Sequence, residues 1–533
     1  MALNRARKTG RLRAAALVTA LSLSIVIPTG ASGAGPGYTT SVGEYVTLQP
    51  GVAGSVEALI DSGESPFGTI FEGIPDGIGV RPADDGGGYV DLYVTHEQSH
   101  VPFGLTPTTV FADYQDSSVS RVRVDIATRS ITELSVPLSP DLGFIRFCSA
   151  FMAGPEQGFP HYTFLVNEES NDILSVPVGA PYGSDPSVAP KRQGGYSAFL
   201  DTETGKVGVL AGAGRHNHEN QVVVPGWKKG IVSLSGDDTF TSTSTIERPN
   251  LSQMYMYSAK NAAHFLKDDG TLMAFRVTGT QAGPVNPADP QNNANDFFEI
   301  STGNTFTGEF IPVPSDVAHG TTRALAQDAL EDWSNANNIF QFIRIEDIAY
   351  DPDQPRVVYF TDTGNSRLIE SSTSGRLWRA PSGTAGTSAS SGRVFKMEMN
   401  ASDPTKVDAF SILTEASATT PAMRNPDNIA VGRDSIMVQE DTSSAKIWQY
   451  SLSAGTWTHI ASAVQPEAET SGIVDVSSWF GPGWWALDVQ SHVNQQMDAN
   501  YLTWNTLPTP PGGNQYRLRR EDGQLLLMHI DNS

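Results

Sequence analysis

The stretch "EDIAYDPDQPRVVYFTDTGN", residues 346–365, holds two short apolar runs on either side of an Asp/Pro/Gln turn, with an acid at each end. β-Branched and aromatic residues in runs of this length, bounded by Asp, Pro and Gly, read as strand, turn, strand. The same unit returns along the chain. "PDGIGVRPADDGGGYVDLYVTHE" (75–97), "ENQVVVPGWKKGIVSLSGDD" (219–238) and "PDNIAVGRDSIMVQEDT" (426–442) each open on or next to an acid and close on one. "CSAFMAGPEQGFPHYTFLVNEES" (148–170) fits the frame with Cys148 in the opening position, and "GIVDVSSWFGPGWWALDVQSH" (472–492) is a looser copy.

The closing acids give the spacing. Glu97, Glu168 and Asp237 fall at near-equal steps, Asp237 to Asp362 is close to a double step, Asp362 to Glu440 is single, and Asp488 follows early. The stretch "DDGTLMAFRV" (268–277) is assigned to a unit hidden in the double step. Repeats of short strands at this period predict an all-β fold, a β-propeller with six blades favoured over seven, long loop insertions and minor helical segments. A double-sheet sandwich is the rival but does not explain the repeated strand–turn–strand–acid unit. The 50 Gly and 34 Pro agree with many tight turns. The clearest helical period lies over "TTRALAQDALEDWSNANN" (321–338).

Equivalent positions of successive blades converge on the central channel. Acids repeated at one blade position therefore form a ring, which repels itself unless cations neutralise it. A metal site at one channel mouth is the expectation, although any single Asp at a strand end is explained equally by turn formation.

The ends and the composition bound the rest. Arg5, Arg7, Lys8, Arg11 and Arg13 precede an apolar run from Ala14 to about Pro28, followed by small residues. That order predicts a secretory signal over 1–34 and a single propeller domain over 35–533, exported to the periplasm, cell surface or medium, with no later membrane span. One cysteine in 533 residues excludes an internal disulfide, so the core must carry the fold. A net charge of −23, from 35 Lys and Arg against 58 Asp and Glu, argues against nucleic acid as a partner. Cys148 is then a small buried hydrophobe, a ligand or a nucleophile. No Ser-centred triad or phosphate loop is evident, and "GTAGTSASSG" (383–392), lacking Lys, reads as a flexible insertion. The aromatics of "WFGPGWW" (479–485) read as packing between blades or a partner surface.

The ordered motifs resemble the PhoX-type alkaline phosphatases, secreted six-bladed propellers with an iron and calcium cluster. An "NCAGG" segment of that family is similar to the surroundings of Cys148, here followed by Ser149 and Ala150. "TCEE" is similar to Asn167, Glu168 and Glu169, and "GRFSHE" to Arg215, His218 and Glu219. "GDD" is matched by Asp237 and Asp238, "RPED" by Arg344, Glu346 and Asp347, and "PDN" by Pro426, Asp427 and Asn428. "NVQHPG" is echoed by Gln490 and His492. The twin arginines of the family's signal are not adjacent here.

The resemblance implies the following roles. Cys148 binds iron, with Glu219 and Glu346 completing or bridging the iron site; thiolate suits a transition metal. Glu168 or Glu169, Asp237 or Asp238, and Asp427 hold Ca2+. Arg344, with Glu346 and Glu219 in the catalytic set, grips two phosphate oxygens, and Arg215 and His218 are supporting candidates. The reaction is hydrolysis of a small phosphate monoester by a monomer with Fe3+ and Ca2+. Two readings stay open beside it: a calcium-dependent propeller hydrolase of another ester or lactone, indifferent to Cys148, and a non-catalytic calcium-bound binding propeller.

Overall fold

The computed structural model describes residues 37–84, 86–97, 117–170, 173–175, 191–228, 230–239, 252–280, 283–284, 295–322, 325–370, 377–379, 386, 388–417, 419, 421–465, 468–496 and 519–531. The expected signal segment and part of the Gly- and Ser-rich stretch 383–392 lie outside the described residues.

Each repeat read from the sequence begins with a strand facing a common axis. Six such inner strands are present among the described residues: Pro75–Pro82, Phe147–Ala153, His218–Val223, Ile345–Tyr350, Pro426–Val431 and Ala468–Asp475. Each packs beside the next, and the last packs against the first, so the ring closes. Each inner strand also heads an antiparallel run of four strands, lengthened to five behind Pro426–Val431, where Val46–Leu48 joins the outer edge. The chain is therefore an all-β propeller, with helix confined to short segments of which Ala326–Ala336 is the longest described.

Residue patterns explain where each strand lies. Ser118–Asp125, third in its run, alternates buried and half-buried positions, as a strand with one solvated face must. His218–Val223, on the axis, is buried throughout. Ring closure is long-range. The last run comprises Ala468–Asp475, Trp484–Gln496 and Arg519–Ile530, and its outer strand is Gly54–Asp61 from near the start of the described chain.

The double step has a different explanation from the one expected. Gly270–Thr280, which contains most of 268–277, is the outer strand of the third run and not a separate blade. Phe306–Pro312 pairs with it on one side and with Lys406–Glu415 on the other, joining the third and fourth runs into one sheet. The seam is filled by phenylalanines. Phe340 and Phe342 stand 4.4 Å apart and Phe360 stacks on Phe395 at 5.0 Å, with Phe275 and Phe410 between them. Each such ring removed from water contributes about 1.5–3 kcal/mol. In 479–485 the aromatics also pack inward, with Trp485 only 2 % exposed.

All six inner strands share one irregularity. Their pairing with the second strand slips between Pro75 and Ile78, Phe147 and Ala150, His218 and Gln221, Ile345 and Ile348, Pro426 and Ile429, and Ser471 and Val474. A bulge inserts one residue and re-aims the side chains around it. Six bulges at one level place a ring of re-aimed residues at one end of the channel. Gly472 sits in the last of them at φ +64°, where a Cβ would collide with the Asp76 carbonyl.

Candidate metal centre

The bulge residues Asp76, Cys148, Glu219, Glu346 and Asp427 come from five inner strands and meet. Ligand atoms of Cys148, Glu169 and Glu219 lie within 4.8 Å of one another, as do those of Glu219, Glu346 and Asp427, and those of Asp76, Glu97 and Cys148. Cys148 Sγ is 2.8 Å from Asp76 Oδ2. Cys148 thus stands between two acidic groups, and Glu219 belongs to both groups on its own side.

A second layer comes from the ends of the second strands, where neighbouring residues play opposite parts. Glu168, Asp362 and Glu440 face the backbone. Their carboxylates accept from the N–H of Ile145 at 3.1 Å, Ile343 at 2.8 Å and Arg424 at 3.0 Å, each two residues ahead of an inner strand. Glu168 also accepts from Tyr196 N at 3.1 Å. The next residue along faces the centre: Glu97, Glu169, Asp238 and Asp441. Successive side chains on a strand point to opposite faces, so one step decides between clasp and centre.

This separates the paired candidates. Glu169 joins a carboxylate–thiol group, whereas Glu168 is outside all three groups and is held by two backbone amides. Asp237 is likewise outside them; its Oδ1 accepts from Thr239 Oγ1 at 2.7 Å. Asp238 grips Arg344 with both oxygens, at 2.7 Å to Nε and 2.6 Å to Nη2. Arg344 Nη2 is also 3.3 Å from Glu346 Oε1, and Nη1 is 3.8 Å from Asp441 Oδ2. The Arg344 side chain keeps 19 % of its surface exposed, at the rim of the acidic groups.

The remaining sequence candidates are placed as follows. Asp347 points away from Glu346 and accepts from Ile348 N at 2.8 Å and Ile429 N at 3.1 Å. With Asn220 it lines a cavity of about 340 Å3 on the other side of the bulge layer, walled by Phe151, Tyr350 and Trp479. Arg215 donates to the Gln193 and Gly194 carbonyls and lies 3.6 Å over the Tyr196 ring. His218 Nε2 is 3.0 Å from the Gly214 carbonyl, and its ring packs on His216 at 3.6 Å. Gln490 donates to Glu97 Oε1 at 2.9 Å, while the side chain of His492 is outside the described residues.

Asp76 and Glu97 were not among the site residues expected from sequence. The signal for Asp76 is the "PD" shared by "PDGIG" and "PDNIA", which aligns it with Asp427. Glu97 was equated with Glu168, but the strand pairing puts His96 opposite Pro75 as Glu168 is opposite Phe147. Glu97 therefore corresponds to Glu169.

Electrostatics follow from the crowding. Burial first, then neighbouring acids, pushes the carboxyls of Glu169 and Asp427 well above the usual range. Burial does the same to Glu219 and Glu346, with Arg344 opposing it at Glu346. Cys148 keeps some exposed surface, yet its sulfur is pushed well up by burial and by Asp76 and Glu219. Glu219 Oε2 and both oxygens of Asp488, all buried, have no hydrogen-bond partner among the described residues. A thiol beside several carboxylates, some with unpartnered buried oxygens, is a donor set that fits metal cations, soft at the sulfur and hard at the oxygens.

A propeller with a thiol and a ring of carboxylates at one channel mouth defines the class of protein by its architecture. The chain belongs to the PhoX family of alkaline phosphatases, whose family model matches residues 200–473. Among solved structures it resembles Pseudomonas fluorescens PhoX in complex with vanadate, a transition state analogue. That likeness has a TM-score of 0.55 at 13 % identity and covers 94 % of this chain and 98 % of that one. The RRP9 WD40 repeats align over 91 % of this chain and all of theirs, with 7 % identity and a TM-score of 0.34, too low to carry an argument. No curated protein matches the chain.

Proposed function

We propose that this protein is an exported, metal-dependent phosphatase that hydrolyses phosphate monoesters at an iron and calcium centre at the channel mouth. The observation that carries the reading is the meeting of Cys148, Glu169, Glu219, Glu346 and Asp427 beside Arg344 in a chain of the PhoX family. Cys148 and Glu219, with Glu346, would hold iron; Glu169 and Asp427, with Asp76 and Glu97 on the far side of Cys148, offer hard oxygens to Ca2+, while Asp238 holds Arg344. Bound cations would draw negative charge from the phosphoryl oxygens.

The chain's own residues supply recognition. Arg344 is held by Asp238 through Nε and Nη2 while 19 % of its side chain stays exposed, so its remaining N–H donors are oriented before a phosphate arrives. Pre-orientation lowers the entropy lost on binding. The acidic rim disfavours an anionic substrate until cations compensate it, which ties substrate binding to metal loading. The basic and then apolar N-terminus supports export, and no helix among the described residues is long and apolar enough to cross a membrane. We take the active form to be a monomer.

The test is metal analysis of the purified protein by mass spectrometry, with p-nitrophenyl phosphate turnover measured with and without chelator. Iron and calcium in the protein, and loss of turnover in Cys148→Ala, support the reading. Calcium alone, no turnover, and a harmless Cys148→Ala overturn it in favour of a calcium-bound propeller of another function.

A further inference from the structure

Among the described residues, Glu219 is the one that joins the Cys148–Glu169 group to the Glu346–Asp427 group. A carboxylate in that position serves both groups only in a fixed orientation. Its backbone is fixed by Asn167, whose Nδ2 donates to the Glu219 carbonyl at 2.9 Å. Its side chain is fixed by Ser149, whose hydroxyl donates to Glu219 Oε1 at 2.7 Å. Ser149 follows Cys148 where the motif it resembles has Ala, and it is 2 % exposed.

The direction of that hydrogen bond is set from behind. Asn428 Nδ2 donates to Ser149 Oγ at 3.0 Å, so the single Ser149 proton is left for Glu219. The Asn428 carbonyl oxygen lies 2.8 Å from Ser471 Oγ, which is also 2.6 Å from Asp76 Oδ1, so the single Ser471 proton serves these two acceptors in turn. Five residues from five inner strands thus form one connected frame behind the centre. Within it Glu219 Oε1 is occupied as an acceptor and Oε2 is left without a partner among the described residues.

We infer that Ser149 is a positioning residue: its hydrogen bond holds the carboxylate of Glu219, the member common to two acidic groups, and leaves Oε2 without a partner among the described residues. It does so without touching substrate. The inference rests on the metal-centre reading above and adds a residue particular to this chain. Hydrogen-bond partners behind metal ligands change affinity or activity by roughly 10- to 100-fold when removed.

The experiment compares wild type, Ser149→Ala and Ser149→Thr for bound metal per chain, for melting temperature, and for kcat and KM on p-nitrophenyl phosphate. The expected result is less bound metal and about tenfold lower kcat in Ser149→Ala at nearly unchanged KM, with Ser149→Thr restoring both. A Ser149→Ala protein with wild-type metal content and kcat overturns the inference alone, as does one that loses only thermal stability. A folded Ser149→Thr that behaves like Ser149→Ala also overturns it. A wild type without metal or turnover overturns the metal-centre reading and this inference together.

Discussion

Glu168 and Glu169 are chemically identical neighbours that the fold puts to different uses. Glu168 accepts two backbone N–H groups, so Glu168→Gln turns one of two acceptors into a donor facing a donor. Stability should fall by about 1–3 kcal/mol with metal content nearly unchanged. Glu169→Gln should do the reverse, lowering metal content while leaving the melting temperature of the chelated protein unchanged at low pH and raised at higher pH, where the buried carboxylate would otherwise be charged. Melting curves and metal analysis of the two variants, side by side, check the assignment; similar behaviour of both would refute it. Arg344→Lys keeps the charge but loses the planar fork that Asp238 orients. We expect KM for p-nitrophenyl phosphate to rise roughly tenfold or more, read from steady-state kinetics, since charge-assisted hydrogen bonds of this kind contribute about 1.5–3 kcal/mol.

At the scale of the element, the repeated bulge is the device that builds the centre. Without it, Asp76, Glu219, Glu346 and Asp427 would keep the strict alternation of their strands, and their side chains would not all turn to one mouth. The bulge of Ala468–Asp475 depends on Gly472, whose positive φ and lack of Cβ let the strand pass the Asp76 carbonyl. Gly472→Ala should therefore destabilise the protein by about 2 kcal/mol or more, measured by denaturant unfolding. A neutral substitution would mean the bulge relaxes freely. The strand–turn–strand–acid unit was legible because turn chemistry and short apolar runs are local. The clasp and centre positions were not, because adjacent acids differ only in which face they reach. Taking Glu97 as the counterpart of Glu168 was a slip of one residue, enough to exchange the two roles.

For the whole molecule, the crowded carboxyls make stability depend on pH and cations together. In Glu169, Glu219, Glu346 and Asp427 the folded carboxyls sit above their unfolded values, so the folded state holds more protons. Their contribution is complete below the ordinary carboxyl range and is lost as pH rises through the raised values. The melting temperature of the chelated protein should thus fall as pH rises above the ordinary carboxyl range. Added Ca2+ should restore it, more strongly at the higher pH, because ligands bind in their deprotonated form. Calorimetry across that rise with and without Ca2+ decides it; a cation effect independent of pH would separate these carboxyls from the binding site. Closure acts at the same scale: Gly54–Asp61 completes the run of Arg519–Ile530, a pairing no local pattern announces.

The sequence by itself determined the all-β character, the propeller repeat, the acidic surface, and Cys148, Glu219, Glu346 and Asp427 as residues of interest. Alternation, turn residues and charge at strand ends are written within a few residues of each other, and stacking the repeats exposes them. Only the tertiary structure decided which acid of each pair faces the channel, that Asp76 and Glu97 complete the far side of Cys148, and that 268–277 is an outer strand. Those outcomes depend on the single-residue slips of the bulges, where one step reverses a side chain. They depend equally on pairings between strands hundreds of residues apart, whose partners are chosen by packing around a common axis and not by neighbours in the chain.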